Sequence, residues 1–272
     1  MRRSCHLLAI LAGCGFDAGS SSTGPSLPPA SPSGGSVSAA PAPVDPTAGE
    51  TVELKLELAD GSAALATLGL TDSTATTTQD IWFYDTDALA LFDAGVILRA
   101  RKVHDGDDDA TVKARPMLPE QTAPGWLALA GSKCEVDETL ADAASSCSST
   151  STPSTGVIDD VAGGQPIANL FDADQLVFLG SLDPVELTTL ARLGPIPSTV
   201  WTLAVASLPA PLSLERWVLV DGTTLLEASF RVAHADAPAG MTALQAWASA
   251  DGLVLAADQS DKTGVALQAL TN

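Results

Sequence analysis

Basic residues are scarce in this chain: thirteen Lys and Arg stand against thirty-three Asp and Glu, for a formal net charge of −20 at pH 7. A field of that sign repels nucleic acid and anionic lipid headgroups, which excludes DNA or RNA as a partner. Histidine occurs three times. Neither His104 nor His234 belongs to a His-x-x-x-His or Ser/His/Asp arrangement, so no imidazole chemistry is indicated. "GGQPIANLF" (163–171) lacks the Gly-Lys-Ser/Thr ending of a phosphate loop. "DGDDD" (105–109) offers closely spaced oxygens with no calcium-loop pattern after them, and reads as a solvated turn.

Cysteine is also sparse, with four in 272 residues. The chain opens "MRRSCHLLAILAGC", two arginines before a short apolar run and then small residues, the layout of a secretory signal over 1–13. The run is far too short to span a bilayer as a helix. Leu11-Ala12-Gly13-Cys14 resembles a bacterial lipobox, which implies lipidation of Cys14 and a place in the bacterial cell envelope, facing the periplasm or exterior. An ordinary secretory signal ending near a Cys is the alternative. The membrane is then met through the lipid anchor only. With Cys5 removed and Cys14 acylated, Cys134 and Cys147 remain as a disulfide pair in an oxidising compartment, worth about 3 kcal/mol in the chain-entropy picture. No His lies near enough to make them metal ligands.

Residues 14–48 are Ser, Gly, Pro and Ala with almost no core formers, a flexible tether. The remainder, 49–272, is long enough for one sizeable core. "TVELKLEL" (51–58) alternates polar and apolar residues, the period of a half-buried strand. Further strands are expected over 79–85, 96–104, 109–115, 133–139, 199–207, 213–220 and 224–232, with Asp221-Gly222 as a hairpin turn. Helices are expected near 61–68, 87–95 (ended by Gly95), 138–146, 165–171, 183–192 and 238–250, and a Ser/Thr-rich loop over 145–156.

Removal of Arg2 and Arg3 with the signal leaves eleven basic residues. Eight of these lie at alternating strand positions: Lys55, Arg99, Arg101, Lys113, Arg115, Lys133, Arg216 and Arg231. Acids share the faces, namely Glu53, Glu135, Asp137 and Glu227. A single charged strand face is ordinarily just solvated. Repetition on six strands instead suggests rows that converge inside a closed barrel.

The succession "TVELKLEL … FYDTDALALFDAGVILRARK … ATVKARP … KCEVDE … LERW … LLEASFRV … DQSDKT" resembles the CYTH domains, the triphosphate tunnel enzymes, over about residues 51–270. The resemblance implies an α+β fold, an eight-stranded antiparallel β-barrel with inserted helices. It implies a small triphosphate or polyphosphate anion as partner, Mg or Mn as cofactor, and metal-dependent phosphoanhydride hydrolysis. Lys55, Arg99, Arg101, Lys113 and Arg216 would bind phosphate, with Lys133 and Arg231 in support. Glu53, Glu135, Asp137 and Glu227 would hold metal, Glu53 and Glu135 being the catalytic pair. The family's first acid falls on Thr51, and the basic residue often found two positions before Arg216 is Leu214. A tunnel that binds an anion without turnover, and a structural lipoprotein with a salt-bridged interior, are the alternatives. Lys262 near the C-terminus reads as solvent-facing.

Overall fold

Alternation along Thr51–Leu58 does make a strand, β1, and its apolar Val52, Leu54 and Leu56 are fully buried. The structure, a computed structural model, describes residues 51–118, 121–123, 125–182 and 186–271. The signal over 1–13, Cys14 and the tether over 14–48 lie outside the described residues. Eight strands follow β1: β2 Thr77–Asp85, β3 Val96–Val103, β4 Asp109–Ala114, β5 Ser132–Glu138, β6 Ala143–Ser151, β7 Ala191–Leu203, β8 Leu212–Val218 and β9 Thr224–Ala233. They close a barrel in the order β1-β5-β6-β4-β3-β2-β7-β8-β9.

The expected eight antiparallel strands are therefore nine, and one neighbour pair, β1 with β5, is parallel through Thr51–Leu54 and Glu135–Glu138. The extra strand is β6, where a helix near 138–146 and a loop were expected. "AASSCSSTS" has no apolar alternation, so its strand nature is set by its neighbours: it pairs along β5 on one side and β4 on the other. The helix expected at 183–192 is likewise displaced. A helix ends at Leu182 and β7 already begins at Ala191, carrying Pro195 and Pro197. Proline removes a ladder donor, and the β2–β7 register shifts between Ile81 and Phe83, beside Gly194 at φ +112°.

Most of the apolar packing lies outside the barrel wall. On one side β1, β8 and β9 pack Leu54, Leu214 and Phe230 against Met241, Leu244 and Trp247 of α5 (Ala237–Ala250). On another, Leu98 and Val112 meet Ile158 of α3 (Val157–Ala162) and Phe178 of α4 (Ala173–Leu182), with Trp126 stacked on Phe178 at 4.3 Å. (In this numbering α1 is Gly61–Thr67 and α2 Ala90–Asp93.) A third cluster is different. Phe83 and Trp217 face the interior and pack with Ala266 and Leu267 of α6 (Lys262–Thr271), which puts that helix at one end of the cavity.

Within "FYDT", Asp85 is nearly inaccessible and accepts hydrogen bonds from the amides of Leu91 and Phe92, both at 2.9 Å. Its role is to satisfy the free N–H groups of α2, not to meet a ligand. Gly95 then turns the chain at φ +79°, where a Cβ would sit 2.7 Å from the Arg115 carbonyl oxygen.

Cys134 and Cys147 form a disulfide across β5 and β6, as expected, closing 13 residues. Replacing both with Ala should lower stability by about 2–4 kcal/mol, read as a lower urea midpoint with unchanged slope. An unchanged midpoint would mean that the two ladders of β6 suffice without the crosslink.

Candidate functional site

The inward rows enclose a cavity of about 450 Å³. Eight of its lining residues are Lys or Arg and five are Asp or Glu. Adding Asp137 and Asp109, which pair with lining bases from the rim and wall, still leaves the bases in excess. In a chain of net charge −20 this is a local reversal of sign. The inner positions opposite the bases are small: Ser148 and Thr150 on β6, Ser213 on β8 and Ser229 on β9. Small side chains on these strands leave the room that the long ones occupy.

One charge cluster is built on β1, β4, β5 and β9. Glu53 lies in register with Asp137 on one side and Arg231 on the other. Asp137 is fully buried and accepts hydrogen bonds from Lys55 at 2.9 Å, Lys113 at 2.6 Å and Ser146 at 3.0 Å. Burial alone would raise its carboxyl, but Lys55 and Lys113 outweigh it and hold the group well below the usual carboxylate range. Glu135 is also lowered against its burial, by Lys133 at 2.8 Å and by Arg231 at 3.2 Å. Arg231 reaches Glu53 as well, at 2.7 Å. One oxygen from each of Glu53, Glu135 and Asp137 lies within 4.8 Å of the others. Three hard oxygen donors so placed suit Mg²⁺ or Mn²⁺.

A second cluster lies further along β1, toward α6. Glu57 faces Glu227, and Glu227 faces Glu215, across β1, β9 and β8. Lys262 answers them: its Nζ is 2.7 Å from Glu215, 3.3 Å from Glu227 and 4.4 Å from the Trp217 ring centroid. Far from facing solvent, Lys262 is 4% exposed. Burial works against its charge, yet Glu215 and Glu227 raise its pKa well above the ordinary lysine value. Burial, and then the charge of Glu227, push Glu57 up to about 9, so at neutral pH it is a carboxylic acid that shares a proton with its neighbour.

Two expected roles are corrected by this geometry. Glu227 is not with the three clustered carboxylates, because four strand positions separate Glu57 from Glu53 on β1, about 13 Å of strand rise. Arg216 lies on the outer face of β8 with Leu212 and Leu214; it pairs with Asp72 at 2.8 Å and covers Trp201 at 5.5 Å. Its neighbour Glu215 faces in instead. The remaining expected phosphate ligands, Lys55, Arg99, Arg101 and Lys113, all line the cavity. Arg115 does too, bridged to Asp261 at 3.2 Å, and Arg101 is tied to Asp109 at 2.7 Å. Glu215, Asp261 and Lys262 were missed.

Arg99 stands apart. Among the described residues it has no ion-pair partner, and its Nε is buried without a hydrogen-bond partner. Burial first, and Arg101 beside it second, lower its pKa to about 10. Asp109, Glu215 and Glu53 favour its charge without touching it, which leaves the guanidinium free to accept an anion.

No family model matches the chain, and no curated protein matches it in sequence. Solved structures do. A candidate adenylate cyclase from Bacillus halodurans shares the fold at TM-score 0.55 and 12% identity, over 80% of this chain and 97% of that one. A candidate adenylyl cyclase from Hippeastrum, with a dominant triphosphatase activity, aligns at 0.54 and 15%, over 79% and 94%. The fold is that of the CYTH tunnel proteins. Identity at this level carries the tunnel architecture, not the activity.

Two substitutions probe the tunnel wall. Asp137→Asn should leave Lys113 without a carboxylate in contact and Lys55 with Glu53 alone, and cost about 3–5 kcal/mol in urea unfolding. Glu57 has a folded-state pKa above its unfolded one, so its contribution is favourable below about pH 4.5 and is lost as pH rises toward 9. Glu57→Gln should therefore match wild type near pH 5 and exceed it at pH 8, by about 2–4 °C in Tm for each kcal/mol recovered. Parallel stability curves from pH 5 to 9 would contradict the protonated Glu57.

Proposed function

We propose that the tunnel binds a linear triphosphate or short polyphosphate with Mg²⁺ or Mn²⁺ and hydrolyses its terminal phosphoanhydride bond. The observation that carries this reading is Arg99, a guanidinium that touches no carboxylate, among converging bases in a cavity wide enough for a phosphate chain. Lys55, Arg99, Arg101 and Lys113 would hold the phosphate oxygens, since Arg and Lys forks bind such oxygens by charge-assisted hydrogen bonds. Glu53, Glu135 and Asp137 would hold the divalent ion, which supplies charge neutralisation on the bridging oxygens. Glu135 is ionised and is the residue assigned to orient a water in line with the terminal phosphorus. As the water oxygen bonds to the terminal phosphorus, the P–O bond to the bridging oxygen breaks; diphosphate leaves from tripolyphosphate, and the proton that the water loses passes to the product phosphate. Most of the acceleration then comes from position and electrostatics.

A second reading is an anion-binding tunnel without turnover. Each carboxylate of the cluster already carries a Lys or Arg partner, and Thr51 occupies the position of the family's first acid. A purely structural interior agrees less well with an open cavity and with Arg99. The proposal also places the protein at the bacterial envelope, anchored through acylated Cys14; mass spectrometry of the mature N-terminal peptide tests that part separately.

Purified protein given inorganic tripolyphosphate with Mg²⁺ or Mn²⁺ should release orthophosphate. Glu135→Gln should reduce the rate by about a hundredfold or more. Arg99→Met should abolish the thermal shift that tripolyphosphate produces in wild type, while the ligand-free protein still melts cooperatively. A tripolyphosphate shift without phosphate release selects the second reading. No shift with any polyanion would end both.

A further inference from the structure

Five bases pair with the three clustered carboxylates: Lys55, Lys113, Lys133 and Arg231 within 3.3 Å, and Arg115 at 3.9 Å from Asp137. They are not equivalent. The Lys55 and Lys113 side chains are 11% and 21% exposed, whereas those of Lys133 and Arg231 are 49% and 50% exposed. Lys133 places both its contacts on Glu135, at 2.8 Å each. Arg231 bridges Glu53 and Glu135 from β9, the strand next to β1.

We propose that Lys133 and Arg231 are movable counter-ions of the carboxylate cluster, so that a divalent cation and a polyphosphate load the tunnel as a pair. The inference rests on the polyphosphate reading above. A dication arriving alone meets oxygens already neutralised, inside a ring of positive charge, at separations where repulsion is only partly screened. To coordinate, it must displace the two half-exposed bases, which then need an anion. A polyphosphate supplies that anion. Conversely, a polyphosphate arriving alone on Arg99 and its neighbours attracts Lys133 and Arg231 away from Glu135 and Glu53, and those carboxylates then face the like charge of the ligand until a cation replaces the bases. Each ligand removes the obstacle to the other. By linkage, the factor by which the anion tightens cation binding equals the factor by which the cation tightens anion binding. The exchange frees Glu53 and Glu135, while Lys55 and Lys113 keep their contacts with Asp137 beside them and hold the wall intact.

The test measures Mn²⁺ alone, by the loss of its free electron paramagnetic resonance signal on titration into the full chain without any phosphate. Wild type should show no saturation in the micromolar range. Lys133→Gln/Arg231→Gln should bind Mn²⁺ alone at least about tenfold more tightly, within the usual size of a coupling between sites. The single Lys133→Gln should gain part of this, and Lys133→Arg, which keeps the charge, should gain none. A merely structural role for either base predicts equal or weaker Mn²⁺ binding on its removal. That result, or micromolar saturation of wild type by Mn²⁺ alone, overturns the proposal. A parallel thermal-shift series with tripolyphosphate in EDTA and in Mn²⁺ tests the foundation. No shift in either condition defeats the polyphosphate reading itself. Equal shifts with and without Mn²⁺ defeat only the coupling.

Discussion

A charge taken out of water has to meet its opposite, and the pairing of Asp137 with Lys55 and Lys113 is where this barrel meets that demand. The three residues come from β5, β1 and β4, so the triad spans the wall rather than a single hairpin. Its acid is fully buried and held ionised, and its two lysines project toward the cavity. Removal of Asp137 leaves Lys113 without a carboxylate in contact, and removal of either lysine leaves a fully buried acid with one close base instead of two. The parallel β1–β5 pair that closes the barrel is what brings Glu53 and Asp137 into register, so closure and charge pairing depend on one another.

This inverted arrangement sets the remaining architecture. With a polar interior, most of the apolar residues of the strands must find cover outside, and α3, α4 and α5 provide it. The exception is the end where Phe83 and Trp217 turn inward. There α6 brings its own apolar residues and, at its first position, Lys262. That lysine meets Glu215 and Glu227, and the same neighbourhood keeps Glu57 protonated. That end of the tunnel meets its charges with its own side chains, whereas Arg99 on the wall touches no carboxylate among the described residues.

The CYTH-type architecture and the surplus of inner bases are compatible with turnover and with binding alone. In this tunnel every clustered carboxylate engages a neighbouring base closely.

Much of this was legible in the sequence because strand alternation is a local property. Lys55, Arg99, Arg101, Lys113, Glu53, Glu135 and Asp137 all face inward as their phase required, and the two body cysteines pair. Phase alone failed at "LERW", where Glu215 and Arg216 are both charged and alternation cannot say which one is inside; the packing of Leu212 and Leu214 against α5 decides it. It failed at β6, whose Ser and Ala residues carry no apolar signal and become a strand through their neighbours. It failed at Lys262, whose burial depends on acids 47 and 35 positions earlier in the chain. Side-chain direction within a strand follows from the chain's own pleat, so the sequence by itself determined it. The number of strands, the direction in which the barrel closes and the partner that each buried charge meets are long-range pairings, and only the tertiary structure decided them.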